Sequence, residues 1–422
     1  MKQKLALRLV ALTLCLSTML TAIAGEQYTP LPAELDGSMM PYDFAECGPE
    51  PDLPDSLRPV YAAYVARHGA RYLSGPKKME HVLTTLRDGR RKGTLSSHGA
   101  AFLSLMEVVE KANTGHWGDL SPTGVAEERE LGRRMHSELP ELSRQNARVK
   151  AISSYVPRVV MTMYQFTAEL VRLNDHISVS TDEGHQFSPL VCCFTADTAY
   201  AAYRKEGDWK EVYDRFVKRH VSGEPARRLF NKPVLSEREL RSLTLDMYEV
   251  LKGNRAAGLP APTTQWMSEA EYRACWQASN LQHYLRNNPT PLSSLAARAS
   301  TPLLLEIIEN TDRAIAEGSP ALNGYFGHAE TLLPLLSLMQ IPGCYAMPTD
   351  YDSLGNEWKI QKITPLGANL LILISSAPSG TAYATVQLNG RTLRPIEGRP
   401  ETLPWSELRD HWLTLAAAYS TE

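Results

Sequence analysis

Two arginines bracket a histidine and a glycine at the end of an apolar run. The run covers residues 60–66 and leads directly into Arg67-His68-Gly69-x-Arg71. An apolar run that ends at a glycine-containing turn is typical of a buried strand at the carboxyl edge of an α/β sheet. Two guanidiniums can donate forked hydrogen bonds to one phosphoryl group, and a neutral imidazole can attack its phosphorus. The pattern predicts a phosphate-binding site with His68 as nucleophile.

A histidine and a carboxylate occur at a second junction, 260 residues after His68. The triplet His328-Ala329-Glu330 follows a segment that predicts a strand, and a helical pattern follows it. A carboxyl group there can act as general acid on a leaving oxygen and then as base for a water molecule. Isolated His-x-Glu triplets are usually incidental, so the position after a strand is what favours function. We expect Glu330 to donate the proton and His328 to bind the phosphoryl group.

The first motif also carries a resemblance. Arg67-His68-Gly69-x-Arg71 resembles the signature of the histidine phosphatase superfamily, in particular its acid phosphatase and phytase branch. Within that branch, the triplet at 328–330 is similar to the His-Ala-Glu variant of the multiple inositol polyphosphate phosphatases. The resemblance implies hydrolysis of inositol polyphosphates, phytate among them, through a phosphohistidine at His68 and with no cofactor.

The same resemblance implies a further phosphate-binding arginine after a second strand, at the head of a helix. Arg158 is the best match, because it follows a strand pattern at residues 149–154 and begins a helical pattern. A helix start adds the positive end of the helix dipole to the charge of the side chain. Arg158 would act with Arg67, Arg71 and His328 on the charge that develops in phosphoryl transfer, so the reaction requires no metal ion.

Basic residues continue after the first motif. The run comprises Lys77, Lys78, Arg87, Arg90, Arg91 and Lys92. Such a run is either a solvated helix face or a positive wall that attracts a polyanionic substrate. In the second interpretation, Lys77 and Lys78 are further substrate contacts.

The elements around the two junctions predict an α/β fold, with a mainly parallel sheet flanked by helices and a smaller inserted all-α cap domain. Strand patterns precede both junctions, whereas the segment 195–299 shows only amphipathic helices. Two of these helices open with capping boxes, at Ser236 and Ser268. We therefore assign residues 25–194 and 300–422 to an α/β catalytic core and residues 195–299 to a helical cap domain.

Cap and turn signals place three further elements. Ser121 and Pro122 have the residue types of an N-cap and a first helical position, so they predict a helix start. Gly318 is expected to close a helix that begins after residue 300. Asn389-Gly390 lies between two short strand patterns and predicts a β-hairpin.

Residues 1–24 have the pattern of a secretory signal peptide, with three basic residues, an apolar stretch at 9–23 and a small-x-small ending. The stretch is too short for a membrane span, and no longer apolar run occurs elsewhere. We expect an exported protein, periplasmic or secreted. Without the three basic residues of this leader, the formal net charge of −3 becomes −6, which disfavours nucleic-acid binding.

Five cysteines follow the leader, namely Cys47, Cys192, Cys193, Cys275 and Cys344. Export permits disulfides, but an odd count leaves at least one thiol unpaired, and the spacing does not decide the pairing. No Cys-x-x-Cys or His-x-x-x-His spacing occurs, so a zinc site has no support in the sequence. The oligomeric state stays open.

Three classes of function fit the two junctions. An inositol polyphosphate phosphatase is favoured by the His-Ala-Glu variant and by the basic run. A broad-specificity histidine acid phosphatase or a sugar phosphatase would use the same chemistry with fewer cations from the cap. An exported protein that binds a phosphate ester without turnover is disfavoured by Glu330, because nucleophile, acid and cations are all present.

Overall fold

The computed structural model describes residues 28–49, 51 and 53–420. The predicted signal peptide, residues 1–24, lies outside the described residues. Among the helices of the described part, none is long and apolar enough to cross a membrane. The five cysteines after the leader are all free thiols.

An eight-stranded sheet forms the centre of the protein. Its strands are β1 Arg58–Arg67, β2 Arg148–Ser153, β3 Ser178–Glu183, β4 Leu322–Gly327, β5 Asn369–Ser376, β6 Ala382–Leu388, β7 Arg391–Leu393 and β8 Thr402–Pro404. The order is β3-β2-β4-β1-β5-β6-β7, and β8 pairs with β6. Strands β3, β2, β4 and β1 are mutually parallel, whereas β5 to β8 continue the sheet in antiparallel pairs. The parallel half is the half that carries both predicted junctions.

Sixteen α-helices cover the sheet in the described part of the chain. They are α1 Lys77–Arg91, α2 Ser97–Asn113, α3 Pro122–Glu138, α4 Pro157–Leu173, α5 Ser188–Val191, α6 Cys193–Ala196, α7 Thr198–Glu206, α8 Trp209–His220, α9 Glu224–Arg227, α10 Glu237–Leu251, α11 Glu269–Asn287, α12 Leu295–Glu317, α13 Ala329–Leu338, α14 Leu354–Glu357, α15 Ile360–Ile363 and α16 Trp405–Ser420. Short 3₁₀ helices occur at Ala33–Met39, Phe44–Glu46, Pro140–Ser143 and His185–Phe187. The predicted α/β class is confirmed.

Strand β1 is buried on both faces because it lies in the middle of the sheet. Its alternate residues face two separate apolar layers, as the period of a strand requires. Tyr64 stacks on Phe166 of α4 at a ring-centroid distance of 4.9 Å, on the side that α3 and α4 cover. Tyr61 and Val65 face the other layer, which contains α12 and α13. The end of β1 is therefore held in place from both sides.

The predicted caps are present. Ser121 accepts a hydrogen bond from the backbone N–H of Gly124 at the start of α3. Ser236 and Ser268 form the capping boxes of α10 and α11. Gly318 ends α12 in the left-handed conformation, with φ of 67°, but this helix begins at Leu295 and not after residue 300 as expected.

The segment 195–299 is helical in the structure, with no strand among its residues, all of which are described. Most of its buried apolar side chains belong to the same cluster as Val65 of β1; Leu243 and Met247 of α10 are examples. A shared cluster fixes these helices against the core, next to the sheet edge where β1 ends. The division into a core and a cap domain stays a prediction.

Candidate active site

The carboxyl ends of three parallel strands meet at one edge of the sheet. Arg67 ends β1 opposite Gly327 of β4, and Ser153 ends β2 opposite Phe326 of β4. His68, Arg158 and His328 all follow directly after these ends or at the next helix start. The two junctions predicted from sequence therefore lie side by side, and the strand before Arg158 joins them.

The imidazole of His68 is buried, and one of its nitrogens is already used. Nδ1 lies 3.0 Å from the carbonyl oxygen of Gly69. A carbonyl only accepts, so Nδ1 carries the proton in this contact and Nε2 is left with its lone pair. Burial holds the pKa of His68 well below its ordinary value, and the charges of Arg158, Arg67 and Arg71 lower it further. A neutral ring with a free Nε2 is the form that can act as nucleophile.

Two helices hold the loop after β1. The backbone N–H of Gly69 donates to Thr162 of α4 at 3.2 Å. The N–H of Ala70 donates to Glu127 of α3 at 2.7 Å. The other carboxylate oxygen of Glu127 accepts a hydrogen bond from the N–H of Tyr42 at 2.8 Å. This one buried side chain therefore joins the loop to the segment that precedes β1. Sequence reasoning missed both side chains, because neither belongs to a recognisable motif.

Glycines make the close contact between this loop and α3. A Cβ on Gly69 would lie 3.0 Å from the carbonyl oxygen of Gly124 and 2.9 Å from a carboxyl oxygen of Glu128. A Cβ on Gly124 would lie only 2.2 Å from the carbonyl oxygen of Ala70. Only residues without a side chain leave room here for both backbones.

The three predicted arginines converge on His68 and keep unpaired donors. Arg67 donates through Nη1 to two backbone carbonyls, and Arg71 donates to the carbonyl of Tyr72. The Nε atoms of Arg67, Arg71 and Arg158 are buried with no hydrogen-bond partner in the described residues. Burial and the charge of Arg158 lower the pKa of Arg67 to about 10 and the pKa of Arg71 to about 9. An anion bound among them would satisfy these donors and relieve the mutual repulsion.

His328 lies next to His68. Their ring centroids are 5.7 Å apart, and Nε2 of His328 lies 3.2 Å from the hydroxyl oxygen of Ser154. Burial and the charge of Arg158 lower the pKa of His328 to about 3, so the ring is neutral. His328 can thus offer one hydrogen bond to a phosphoryl oxygen and adds no positive charge of its own.

Glu330 lies in the first turn of α13, next to the arginines. Burial favours its protonated form, but the surrounding cations, Arg204 first among them, outweigh burial and lower the pKa of Glu330. The carboxylate is therefore ionised when no ligand is bound. Arg204 of α7 pairs with it at 3.1 Å and was not predicted.

The basic run after the first motif divides into two parts. Lys77 and Lys78 begin α1; Lys77 is exposed, and Lys78 pairs with Glu249 of α10 at 3.1 Å. Farther along α1, Arg87 pairs with Glu110 of α2 at 2.8 Å. That part of the run matches the solvated-face interpretation. The role of Lys77 and Lys78 as substrate contacts stays a prediction.

Four further cationic or titratable side chains reach toward the site from the helical segment. They are Arg204, Lys252, His283 and Arg286. Lys252 is buried, pairs with Glu249 and interacts electrostatically with Arg71. His283 lies within electrostatic range of Glu330, as does Arg286. Their scattered sequence positions gave no signal, because only the packing of α7, α10 and α11 brings them together.

No group of three or more His, Cys, Asp or Glu side chains that could hold a metal ion occurs in residues 28–49, 51 and 53–420. What the site does offer is a neutral buried imidazole, guanidinium donors without acceptors and one carboxylate. This set of groups can bind a phosphoryl group and exchange it between an oxygen and a nitrogen.

Comparison with known proteins agrees with this chemistry. A family model described as histidine phosphatase superfamily (branch 2) matches residues 61–379. No sequence among curated proteins matches the chain.

Several solved structures share the fold. The Bifidobacterium longum multiple inositol polyphosphate phosphatase in complex with inositol hexasulfate is 16% identical, with a TM-score of 0.77, covering 92% of this chain and 98% of that chain. The phytase from D. castellii is 17% identical, with a TM-score of 0.68, covering 91% of this chain and 85% of that chain. The Klebsiella sp. ASR1 phytase is 14% identical, with a TM-score of 0.51, covering 86% of this chain and 97% of that chain.

Proposed function

The chain belongs to branch 2 of the histidine phosphatase superfamily and is a phosphatase, and on this premise we propose that it hydrolyses inositol polyphosphates through a phosphohistidine intermediate at His68. The observation that carries the proposal is the position of three arginines, each with a buried and unpaired Nε–H donor, around a neutral, buried imidazole. The charge on these guanidiniums occupies the place that a metal cation takes in other phosphatases, so we propose a metal-independent reaction.

In the first step, Nε2 of His68 attacks the phosphorus and the bond to the ester oxygen breaks. The phosphoryl oxygens lie among Arg67, Arg71 and Arg158, whose donors the fold leaves open. Glu330 in its protonated form gives its proton to the leaving oxygen, which departs as an alcohol. The carbonyl of Gly69 keeps the proton on Nδ1 throughout, so the ring stays oriented for attack.

In the second step, water attacks the phosphohistidine from the side that the alcohol has left. The Glu330 carboxylate takes a proton from this water as it attacks, and the phosphorus–nitrogen bond breaks. Inorganic phosphate leaves, and His68 returns to its neutral form. The two steps use the same carboxyl group in opposite directions.

The substrate class follows from the charge on the helical segment. A single phosphate monoester needs only the cations beside His68. Arg204, Lys252 and Arg286 add positive charge from the helical segment, together with the half-exposed Lys78 of α1. The cations near His68 outnumber the two carboxylates paired with them, Glu249 and Glu330, and such a net positive charge suits a compact ligand with several phosphates. The solved relative in complex with inositol hexasulfate binds such a polyanion.

The proposed site of action is outside the cytoplasm, periplasmic or secreted. This proposal depends on the signal-peptide pattern of residues 1–24. Export would also bring the enzyme to phosphate esters that do not cross membranes.

The test is the release of inorganic phosphate from inositol hexakisphosphate by purified protein in excess chelator. Wild type is compared with His68→Ala and with His176→Ala, which removes an exposed histidine. We expect chelator-resistant release in wild type and His176→Ala, and none in His68→Ala. Release that persists in His68→Ala would overturn the phosphohistidine mechanism.

A second part of the experiment tests the substrate class. Turnover of simple phosphomonoesters without release from inositol hexakisphosphate would replace the proposal by a broad-specificity acid or sugar phosphatase. Binding of inositol hexakisphosphate without any turnover would indicate a binding protein. Glu330→Gln should lower kcat on inositol hexakisphosphate by about 10²–10⁴-fold and still bind the substrate.

A further inference from the structure

The proton donor of the proposed reaction is already paired with a cation. Nη2 of Arg204 lies 3.1 Å from Oε1 of Glu330. Arg204 comes from α7, in the helical segment, whereas Glu330 begins α13 of the core. This ion pair therefore ties the two parts of the chain together at the reacting group.

Arg204 is held in place. The residue is only 8% exposed, and its guanidinium lies over the rings of Phe194, at 5.0 Å, and Tyr200, at 5.8 Å. Cation–π contacts with two aromatic rings limit the freedom of a guanidinium. Its position, and that of the carboxylate bound to it, is thereby determined by α6 and α7.

The pairing does not satisfy the guanidinium. Nη1 of Arg204 is buried and has no hydrogen-bond partner among the described residues. A purely structural buried arginine normally has its donors paired, because an unpaired buried donor costs about 1–3 kcal/mol. Among the described residues, Glu330 therefore neutralises this guanidinium from one side only.

We propose that Arg204 is a positioning residue for Glu330: it holds the carboxylate oriented and ionised in the free enzyme, and shares its charge with a substrate phosphate when one binds. This inference rests on the proposed function. It explains how an ionised carboxylate becomes a proton donor. An entering phosphate takes up part of the positive charge of Arg204 and adds negative charge beside Glu330, so the carboxylate gains a proton from solvent. That proton then goes to the leaving oxygen.

Other charged or titratable groups also act on Glu330. They are His328, Arg67, Arg71 and Arg158 from the core, His283 and Arg286 from α11, and Cys192 and Tyr200 beside α6 and α7. Among the described residues, Arg204 is the only one of these groups that forms an ion pair or a hydrogen bond with a carboxylate oxygen of Glu330. Its removal should therefore have the largest effect on this carboxyl group.

The experiment compares wild type with Arg204→Met, Arg204→Lys and the control Arg215→Met, which breaks an exposed arginine–glutamate pair. The pH dependence of kcat and kcat/KM is measured on inositol hexakisphosphate and on 4-nitrophenyl phosphate. The leaving group of inositol hexakisphosphate is an alkoxide that needs a proton, whereas the leaving group of 4-nitrophenyl phosphate is a nitrophenolate that leaves without one. Thermal unfolding reports whether each variant is folded, and Arg204→Gln replaces Arg204→Met if the latter does not fold.

Arg204→Met should move the alkaline limb of kcat on inositol hexakisphosphate upward by about one pH unit or more, because this limb reports Glu330 in the enzyme–substrate complex and an opposite charge within hydrogen-bonding distance is lost. It should also lower kcat/KM on this substrate at least about tenfold, and far less on 4-nitrophenyl phosphate, because kcat/KM reports the step in which the ester oxygen leaves and not the hydrolysis step that both substrates share. Arg204→Lys should keep the limb in place, and Arg215→Met should change nothing.

A merely structural role would lower the activity on both substrates alike and leave the limb unmoved, and this result in a folded Arg204→Met protein would overturn the inference alone. Absence of phosphate release from both substrates by wild type is a different outcome. It would refute the proposed function, and the inference with it.

Discussion

Gly124 offers a direct test of how the fold positions His68, the proposed nucleophile. It lies in the first turn of α3, where this helix crosses the loop that carries His68. A Cβ at this position would lie 2.2 Å from the carbonyl oxygen and 2.7 Å from the nitrogen of Ala70. Both are backbone atoms, so no side chain can rotate away to make room.

The magnitude follows from this geometry. Real Cβ contacts essentially never fall below 3.0 Å, so Gly124→Ala must push the loop at Ala70 away by about 1 Å. A misplacement of that size at a reacting group costs about 100-fold in rate. Overpacking should cost about 1–3 kcal/mol of unfolding free energy, partly offset because alanine favours a helix more than glycine does. We therefore expect a large loss of activity with a modest loss of stability.

The assay measures kcat/KM and urea unfolding for Gly124→Ala and for Gly75→Ala. Gly75 is the matched control, since a Cβ there would meet nothing within 4 Å. Gly124→Ala should lose about 100-fold in kcat/KM, and Gly75→Ala should behave as wild type. Near-normal activity of a folded Gly124→Ala protein would refute the reasoning that this helix crossing positions His68.

Two further predictions concern titration and the loop clamp. Because burial and the charge of Arg158 hold the pKa of His68 well below its ordinary value, this imidazole should stay neutral in acid. The acidic limb of kcat/KM should therefore lie well below pH 6.5, and Arg158→Met should move it upward. A limb near pH 6.5 that Arg158→Met leaves in place would contradict this account. The carboxylate of Glu127 accepts hydrogen bonds from two backbone N–H groups, and Glu127→Gln should place an amide NH₂ against one of them, where two donors would face each other. Urea unfolding above pH 7, the approximate pKa to which burial raises Glu127, should then show a loss of about 1–3 kcal/mol, and an unchanged unfolding free energy would argue against the clamp.

The residues that sequence alone could find are those that follow a strand within a few positions. His68, with Arg67 and Arg71, ends the apolar run of β1, and His328 follows β4 in the same way. Parallel strands bring such positions to one edge, so a local pattern is enough to predict a shared site. The capping boxes and the Asn389-Gly390 hairpin were predictable for a similar reason, because their signals are local.

The residues that sequence could not find depend on tertiary packing. Glu127 and Glu128 belong to a charged stretch of α3 that is typical of a solvated face, yet both are buried under the catalytic loop. Arg204 and Lys252 lie on separate helices and meet the core only after folding. Strand β3, Ser178–Glu183, has a largely polar sequence that does not predict a strand, and its hydrogen bonds to β2 at the edge of the sheet stabilise it as one. Local patterns are enough to predict His68 as the nucleophile, whereas the residues around it become apparent only in the structure.

The most direct test of the account is to detect a phosphoryl group on His68. Wild-type and Glu330→Gln proteins are mixed with excess 4-nitrophenyl phosphate, quenched in alkali to preserve the acid-labile phosphorus–nitrogen bond, digested and analysed by mass spectrometry. The account predicts a phosphorylated peptide containing His68, with more of it in Glu330→Gln because the hydrolysis step lacks its base. Turnover without any phosphopeptide, or a phosphoryl group on a different residue, would contradict it.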